Sequence, residues 1–279
     1  MISIIIPANN EEGYIGACLD HILDSAYPVP ANDPVQVIVV ANGCIDATIA
    51  EAQAKAPKFV IKGWHFEVLD LAQGSKIAAL NAGDQAARYD KIAYIDADIT
   101  VSQDLIAQLA AALDCSVPIY ASGHLQVPPA QSFISRFYAR FWEKLPFIKK
   151  GVPGCGVYAV NAAGRARWGA FPEIISDDTF VRYHFAPHEM QGVPATFLWP
   201  ITEGFANLVR VRRRQDEGLA EMHRLYPELS CRMAQTAPNS REKLRLFFRD
   251  PIGFAVYAAV SLSVRLPMFR NRGSWDRGR

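Results

Sequence analysis

The sequence predicts an α/β fold built on a mostly parallel central sheet with helices on both faces. Three observations carry this. Short β-branched runs alternate with segments of helical period through the first half of the chain. The runs are continuously apolar rather than alternating, as in strands buried on both faces. Two carboxylates follow directly on the fourth run, at a strand end, where open α/β sheets bind ligands.

The elements follow in order. Ser3–Ile6 is the first strand, and Glu11–Leu23 a helix with Ile15, Leu19, Ile22 and Leu23 on one face. Val35–Val40 is the second strand, and Asp46–Ala56 a helix capped by Asp46. Phe66–Leu69 is the third strand, and Lys76–Arg88 an Ala/Leu-rich helix. Lys91–Ile95 is the fourth strand, after which Ser102 caps a helix through Leu113. The second half is less regular. Ile119–Val127 reads as a strand, Ser132–Leu145 as an aromatic-rich helix, and Gly151–Gly156 as a loop. Val157–Val160 is again a strand, Asp177–Phe185 helical, Ala195–Trp199 extended and Gly204–Leu225 a long helix. With no internal repeat, one domain with an elaborated second half is the economical reading.

Composition narrows the function classes. The 279 residues carry a formal charge of +1, which argues against a nucleic-acid binder. The balance is uneven, because residues 241–279 hold nine of the 29 basic side chains and three of the 28 acidic ones. Five cysteines without a C-x-x-C pair suggest neither a disulfide framework nor a zinc ribbon, and point to a reducing cytosol. No signal peptide is expected, nor any apolar run of about 18 residues that would span a bilayer.

Several motifs are candidates for chemistry. Asp96-Ala97-Asp98 places two carboxylates at i and i+2 on a strand end, hard oxygen ligands suited to Mg²⁺ or Mn²⁺ carrying a phosphate. A plain polar strand terminus gives the same pattern. Ser176-Asp177-Asp178 sets two acids at a helix start, either as dipole-stabilised caps or as a carboxylate beside a substrate hydroxyl. Arg210, Arg212, Arg213 and Arg214 make either a solvated basic face or a phosphate-binding cluster. Gly74-Ser75-Lys76 precedes a helix and could seat a phosphate at its N-terminus. His184 and His188 lack an H-E-x-x-H context, so a zinc protease site is not expected. Cys18, Cys115 and Cys231 have no base partner at readable spacing and read as structural.

Taken in order, these pieces resemble the family 2 inverting glycosyltransferases. Ile4-Ile5-Ile6-Pro7-Ala8-Asn9-Asn10-Glu11-Glu12 is similar to their opening strand and loop. Val39-Val40-Ala41-Asn42-Gly43-Cys44-Ile45-Asp46 resembles the second strand and turn, and Gly74-Ser75-Lys76 the lysine-bearing segment. Asp96-Ala97-Asp98 stands where the family has its D-x-D. Gly169-Ala170-Phe171-Pro172 followed by Asp177-Asp178 resembles the acceptor-side element, and Arg212 to Gly218 the Arg-rich motif. The resemblance spans roughly residues 2–218.

It implies a glycosyltransferase A-type fold over residues 1–240, with a nucleotide-sugar half to about 115 and an acceptor half over 116–240. It implies a divalent cation, Mg²⁺ or Mn²⁺, held by Asp98 and Asp96, with Asp96 also facing the donor. Asp178 matches the general base, with Asp177 in place of the usual Glu. Pro7, Ala8, Asn10, Glu12, Asn42, Lys76, Asp96, Arg212 and Arg214 match donor-side positions. The implied donor is a nucleotide sugar, UDP-linked by preference and GDP-linked as the alternative, because Ala41-Asn42 replaces an Asp-Asp pair. Asn9 stands where an aromatic often stacks on the base. Gln215 replaces a Trp linked to processive synthases, which favours single transfers. The implied acceptor is a saccharide or a lipid-linked saccharide, in polysaccharide, glycolipid or cell-envelope synthesis.

Two other readings compete. Asp96-Ala97-Asp98-Ile99-Thr100 also satisfies the D-x-D-x-T pattern of haloacid-dehalogenase-like phosphatases, with Asp96 as nucleophile. A catalytically inactive scaffold at a membrane surface would keep the fold alone. The tail bears on location. Pro251–Met268 is apolar and is bracketed by Arg241, Lys243, Arg245 and Arg249 before it and Arg270, Arg272, Arg277 and Arg279 after it. That pattern suits an interfacial helix on an anionic membrane, at the cytoplasmic face, and equally a helix packed on the catalytic domain.

Overall fold

β1 (Ile2–Ala8) and β2 (Val35–Asn42) are buried along their whole lengths, and their side chains divide between the two sheet faces. Ile2, Ile4, Ile6, Val35, Val37 and Val39 pack with α1 (Ile15–Leu23), through Ile15, Leu19 and Ile22. Ile5, Ile38 and Val40 point the other way, onto Ile77 and Leu80 of α4 (Lys76–Ala86). Period two across a strand thus feeds two cores, and each large side chain so buried contributes roughly 1.5–3 kcal/mol. This computed structural model describes residues 1–27, 35–149, 152–230 and 240–266. Gly151 of the expected loop, Cys231, and the tail residues Met268, Arg270, Arg272, Arg277 and Arg279 lie outside them.

The other elements are α2 (Thr48–Gln53), α3 (Ala56–Lys62), β3 (His65–Leu71), β4 (Ile92–Ile95), β5 (Thr100–Val101) and α5 (Leu105–Ala112). Then come β6 (Tyr120–Gln126), α6 (Phe133–Trp142), α7 (Pro146–Lys149), β7 (Val157–Val160), α8 (Ala162–Arg165) and α9 (Asp177–Tyr183). A 3-10 turn (Pro187–Glu189) leads to β8 (Met190–Leu198), α10 (Phe205–Leu225), α11 (Pro227–Ser230), α12 (Ser240–Arg249) and α13 (Pro251–Ser263). The sheet order is β3-β2-β1-β4-β7-β6-β8-β5. β3, β2, β1 and β4 run parallel, β7 is antiparallel to both β4 and β6, and β6 and β8 are parallel. The expected α/β fold with flanking helices is present, and its mostly parallel sheet has four parallel strand pairs against three antiparallel ones.

Four details differ from the sequence reading. Ser102 does not cap α5; its Oγ accepts from the backbone N–H of Thr196 in β8, and Asp104 takes the cap position. Asp46 lies one residue before the N-cap of α2, where its carboxylate accepts from Thr48 N–H and Oγ. The helix expected over Asp46–Ala56 ends at Gln53, and a second helix starts at Ala56 with Pro57 in its first turn, where the missing N–H costs nothing. β8 begins at Met190 rather than Ala195, running through Pro194.

The C-terminal apolar segment packs on the domain on one side. Asp250 caps α13 by accepting from Gly253 N–H, and it is paired with Arg140 and Lys144 of α6. Burial alone would raise the Asp250 carboxyl, but those two cations hold it down to about 2. Tyr257 of α13 stacks on Tyr138 of α6 at 5.3 Å.

Candidate active site at the strand ends

Parallel strands bring their carboxyl ends to one edge, so Pro7, Asn42 and Asp96 meet there. They line a cavity of about 450 Å³, closed on the far side by α6, α10 and the segment after β8. Asp98, Lys76, Arg212 and Arg214 face the same cavity.

Lys76 ties the site together. Ser75 caps α4, its Oγ accepting from Ala78 N–H, and Lys76 follows as the first helical residue. Its ammonium lies 2.9 Å from Asp96 Oδ1 and 3.2 Å from Asp177 Oδ1. Burial pushes the Lys76 pKa down, but the carboxylates of Asp177, Asp96 and Asp178 outweigh it and raise it above the ordinary range. One cation therefore joins the D-x-D turn to the acidic start of α9.

Asp177 is buried and Asp178 half-buried, both in the first turn of α9. Burial raises the Asp178 carboxyl above the usual carboxylate range, the Asp177 charge adds to this, and Lys76 opposes it. Asp178 Oδ1 also accepts from Thr179 N–H. Neither acid lines the cavity itself; Lys76, which does, joins Asp177 to it. A carboxylate so raised has the character of a proton acceptor working near neutral pH.

α10 approaches this turn through Gly218. A Cβ there would lie 2.1 Å from Ser176 Oγ and 3.1 Å from Ser176 Cβ. Gly218→Ala gains about 1 kcal/mol of helix propensity against an overpacking cost of about 1–3 kcal/mol. The expected outcome is a Tm unchanged or lower by a few degrees and a clear fall in kcat, because Ser176 carries the displacement into Asp177 and Asp178. Unchanged kcat would show that the close approach has no bearing on the acids.

The remaining expected positions divide in two. Asn42 is a brace: its amide donates to Ala8 carbonyl at 2.9 Å, and its oxygen accepts from Ser75 N–H at 3.1 Å. Asn10, at φ 52°, accepts from Ile45 N–H, and Glu12 accepts from Ala47 N–H, so both knit the β1 loop to the β2 loop behind the cavity wall. The four arginines of α10 also separate. Arg212 is held by Asp216 at 2.9 Å and by the Tyr257 hydroxyl at 2.7 Å, and it faces the cavity with Arg214. Arg213 instead donates to the Val264 and Leu266 carbonyls at the end of α13, and Arg210 donates to Asn207. His184 stands outside the site, its Nδ1 2.9 Å from the Phe180 carbonyl.

Sequence reasoning missed part of the lining. Glu11, quoted with its loop but not named among the donor-side positions, is buried and faces the cavity, as does Tyr14. Trp142 and Trp199 stack at 5.2 Å and form part of its apolar side. Only the position of Trp199 at the end of an extended run hinted at this.

The implied divalent cation can be tested against these residues. Asp96 and Asp98 supply hard oxygens at the cavity. Among the described residues no group of three or more His, Cys, Asp or Glu is placed to hold a metal. Mg²⁺-type ions that carry a diphosphate take one or two carboxylates from protein and the rest from phosphate and water. The donor set fits such an ion and does not fit one caged wholly by protein.

Comparison with known proteins bears on family and fold. The family model described as Glycosyl transferase family 2 matches residues 3–166. The 4,4'-diaponeurosporenoate glycosyltransferase of Staphylococcus aureus is 31% identical over 174 residues, 61% of this chain and 42% of that protein. The chain thus matches less than half the length of such curated relatives. Among solved structures, a mannosyltransferase from Pyrobaculum calidifontis in complex with GDP-Man and Mn²⁺ superimposes with a TM-score of 0.60 at 18% identity, covering 94% of this chain and 74% of that one. Glucosyl-3-phosphoglycerate synthase from Mycobacterium tuberculosis, with Mn²⁺, UDP and glucosyl-3-phosphoglycerate, gives 0.52 at 18% identity, covering 80% and 79%. At such identity the likeness is one of fold.

Proposed function

The chain belongs to glycosyl transferase family 2, and from that premise we propose that it transfers a sugar from a nucleotide-sugar donor to an acceptor hydroxyl with inversion at the anomeric carbon. The observation that carries this reading is the Lys76 bridge, which brings the D-x-D turn and the acidic pair of α9 within one side chain of each other. Residues 1–115 form the donor half and 116–240 the acceptor half. The structural relatives were solved with GDP-Man and with UDP, so both bases stay candidates for the donor here.

The chemistry follows from the groups present. Asp178 accepts the proton of the acceptor hydroxyl as its oxygen attacks C1 from the face opposite the diphosphate. The C1–oxygen bond to the donor breaks, and the electron pair leaves with the nucleoside diphosphate. Arg212, Arg214 and Lys76 are cations placed to offset that charge. Asp98, with Asp96, would hold Mg²⁺ or Mn²⁺, which supplies further charge neutralisation on the diphosphate. Asp177 holds Lys76 and so orients the site.

The phosphatase reading requires Asp96 to attack phosphorus; the family match, which runs through this motif, favours glycosyl transfer. The inactive-scaffold reading is separated by ligand binding. A thermal-shift panel of UDP, GDP and their sugars, with and without Mn²⁺, should raise Tm for one base in a metal-dependent manner. No shift with any nucleotide would remove the enzyme reading. Asp98→Ala should abolish the Mn²⁺-dependent part of nucleotide affinity, measured by calorimetry, and unchanged affinity would detach Asp98 from the metal.

A further inference from the structure

The geometry points to the outer face of α12 and α13 as a docking surface for an anionic lipid bilayer. α13 is apolar all round, and a helix of that kind is ordinarily enclosed. One face is enclosed: Gly253 and Val260 are buried, while Val256, Tyr257 and Val264 pack against the core. The opposite face carries Ile252, Ala255, Ala259, Leu262 and Leu266, all exposed and spaced by three and four residues. Leu262 is 64% exposed. Among the described residues nothing covers this stripe.

α12 continues the surface. Phe248 is 73% exposed, and Leu244 and Phe247 are exposed as well. The Phe247 ring meets both Phe248 and Phe254 of α13 at 5.4 Å, so the apolar side chains of the two helices are in contact. Such a contiguous exposed patch marks an interaction surface.

Charge selects the occupant. Arg241, Arg245, Arg249 and Arg265 are all exposed around these side chains. Residues 251–266 contain no acid, and the nearby Asp250 is buried and paired with Arg140 and Lys144. In sequence, residues 267–279 add four arginines against one acid. Apolar and aromatic side chains ringed by cations match the acyl boundary and phosphate layer of an anionic membrane. No helix of the described residues is long and apolar enough to cross it, so contact is with the surface. The inner face of α13 meets the cavity wall through Tyr257 and Arg212, which sets the lipid surface behind the catalytic cavity.

The test reads binding alone, so its outcome is independent of the glycosyl-transfer reading. Full-length protein is sedimented with vesicles of phosphatidylcholine alone and of phosphatidylcholine with phosphatidylglycerol in equal parts, at low and high salt. Pelleting is expected with the anionic vesicles at low salt and should fall steeply at high salt. Arg241→Gln, Arg245→Gln and Arg249→Gln together should weaken it on the order of a hundredfold. Phe248→Asp with Leu262→Asp should abolish it, with Tm unchanged because both side chains are exposed. Protein that stays in solution with anionic vesicles at low salt overturns the proposal. So does pelleting that survives the Asp substitutions, or a dimer in sedimentation velocity that those substitutions dissociate while vesicles are ignored.

Discussion

Asp178→Asn is expected to lower turnover at least about a hundredfold while leaving nucleotide affinity nearly unchanged. The amide keeps the size and the Thr179 contact but cannot take a proton. Asp177→Asn should be milder, since Asp177 acts through Lys76, and a reversal of the two effects would move the base to Asp177. The raised pKa of Asp178 adds two signed expectations. A base works when deprotonated, so kcat/KM should fall on acidification at a higher pH than an ordinary carboxylate would give. Stability should run the other way. The native state binds more protons here than the unfolded chain, so stability declines as pH rises through the shifted pKa. Asp178→Asn should therefore raise Tm at neutral pH, with the gain fading below the ordinary carboxylate range. A variant that is inactive and also less stable at neutral pH would mean that Asp178 serves the fold.

Lys76→Met should be the most damaging single change to stability. It leaves the buried Asp177 beside Asp96 and Asp178 with no ammonium between them. Removing one partner of a buried pair costs about 3–5 kcal/mol, visible as a lower urea midpoint at neutral pH. The deficit should shrink on acidification, when the stranded carboxylates take up protons. Lys76→Arg should recover stability more than turnover, because the guanidinium keeps the charge and changes the geometry. A Lys76→Met variant as stable as the parent would mean that the bridge has no energetic role.

The parallel half of the sheet was legible because its signal is local. Ile4–Ile6, Val37–Ala41 and Ile92–Ile95 are continuous apolar runs, short and rich in β-branched residues, as strands covered on both faces are. Two-residue β5 left no such pattern. Pro194 inside β8 read as a breaker, although the alternation of buried Val193, Ala195 and Phe197 runs straight through it. Ser102 looked like a helix cap because caps are judged from neighbours in sequence, while its partner, Thr196, comes from β8. The site shows the same limit. Asp96, Asp98, Asp177 and Asp178 each advertise themselves by position at a strand or helix end. That Lys76 joins Asp96 to Asp177, or that Glu11 and Trp199 share a wall, depends on folding alone. Asn42 adds a role that its type did not announce: on the cavity lining it also braces the strand ends, donating to Ala8 and accepting from Ser75.

The clasp between Tyr257 and Arg212 bears on when the candidate site is completed during synthesis of the chain. Chains fold from the N-terminus as they emerge, at about 5–20 residues per second. The strands that end near Pro7, Asn42 and Asp96 are all made more than 100 residues before α10, so the D-x-D turn can form long before that helix appears. Arg212, however, has no hydroxyl to hold it until Tyr257 has left the ribosome, and Arg213 has no helix end to grip until Val264 and Leu266 follow. A nascent chain thus owns its carboxylates well before its arginines are set. The step that fixes Arg212 in the cavity wall is also the step that lays down the apolar outer face of α13, so the set arginine and that surface are delivered together.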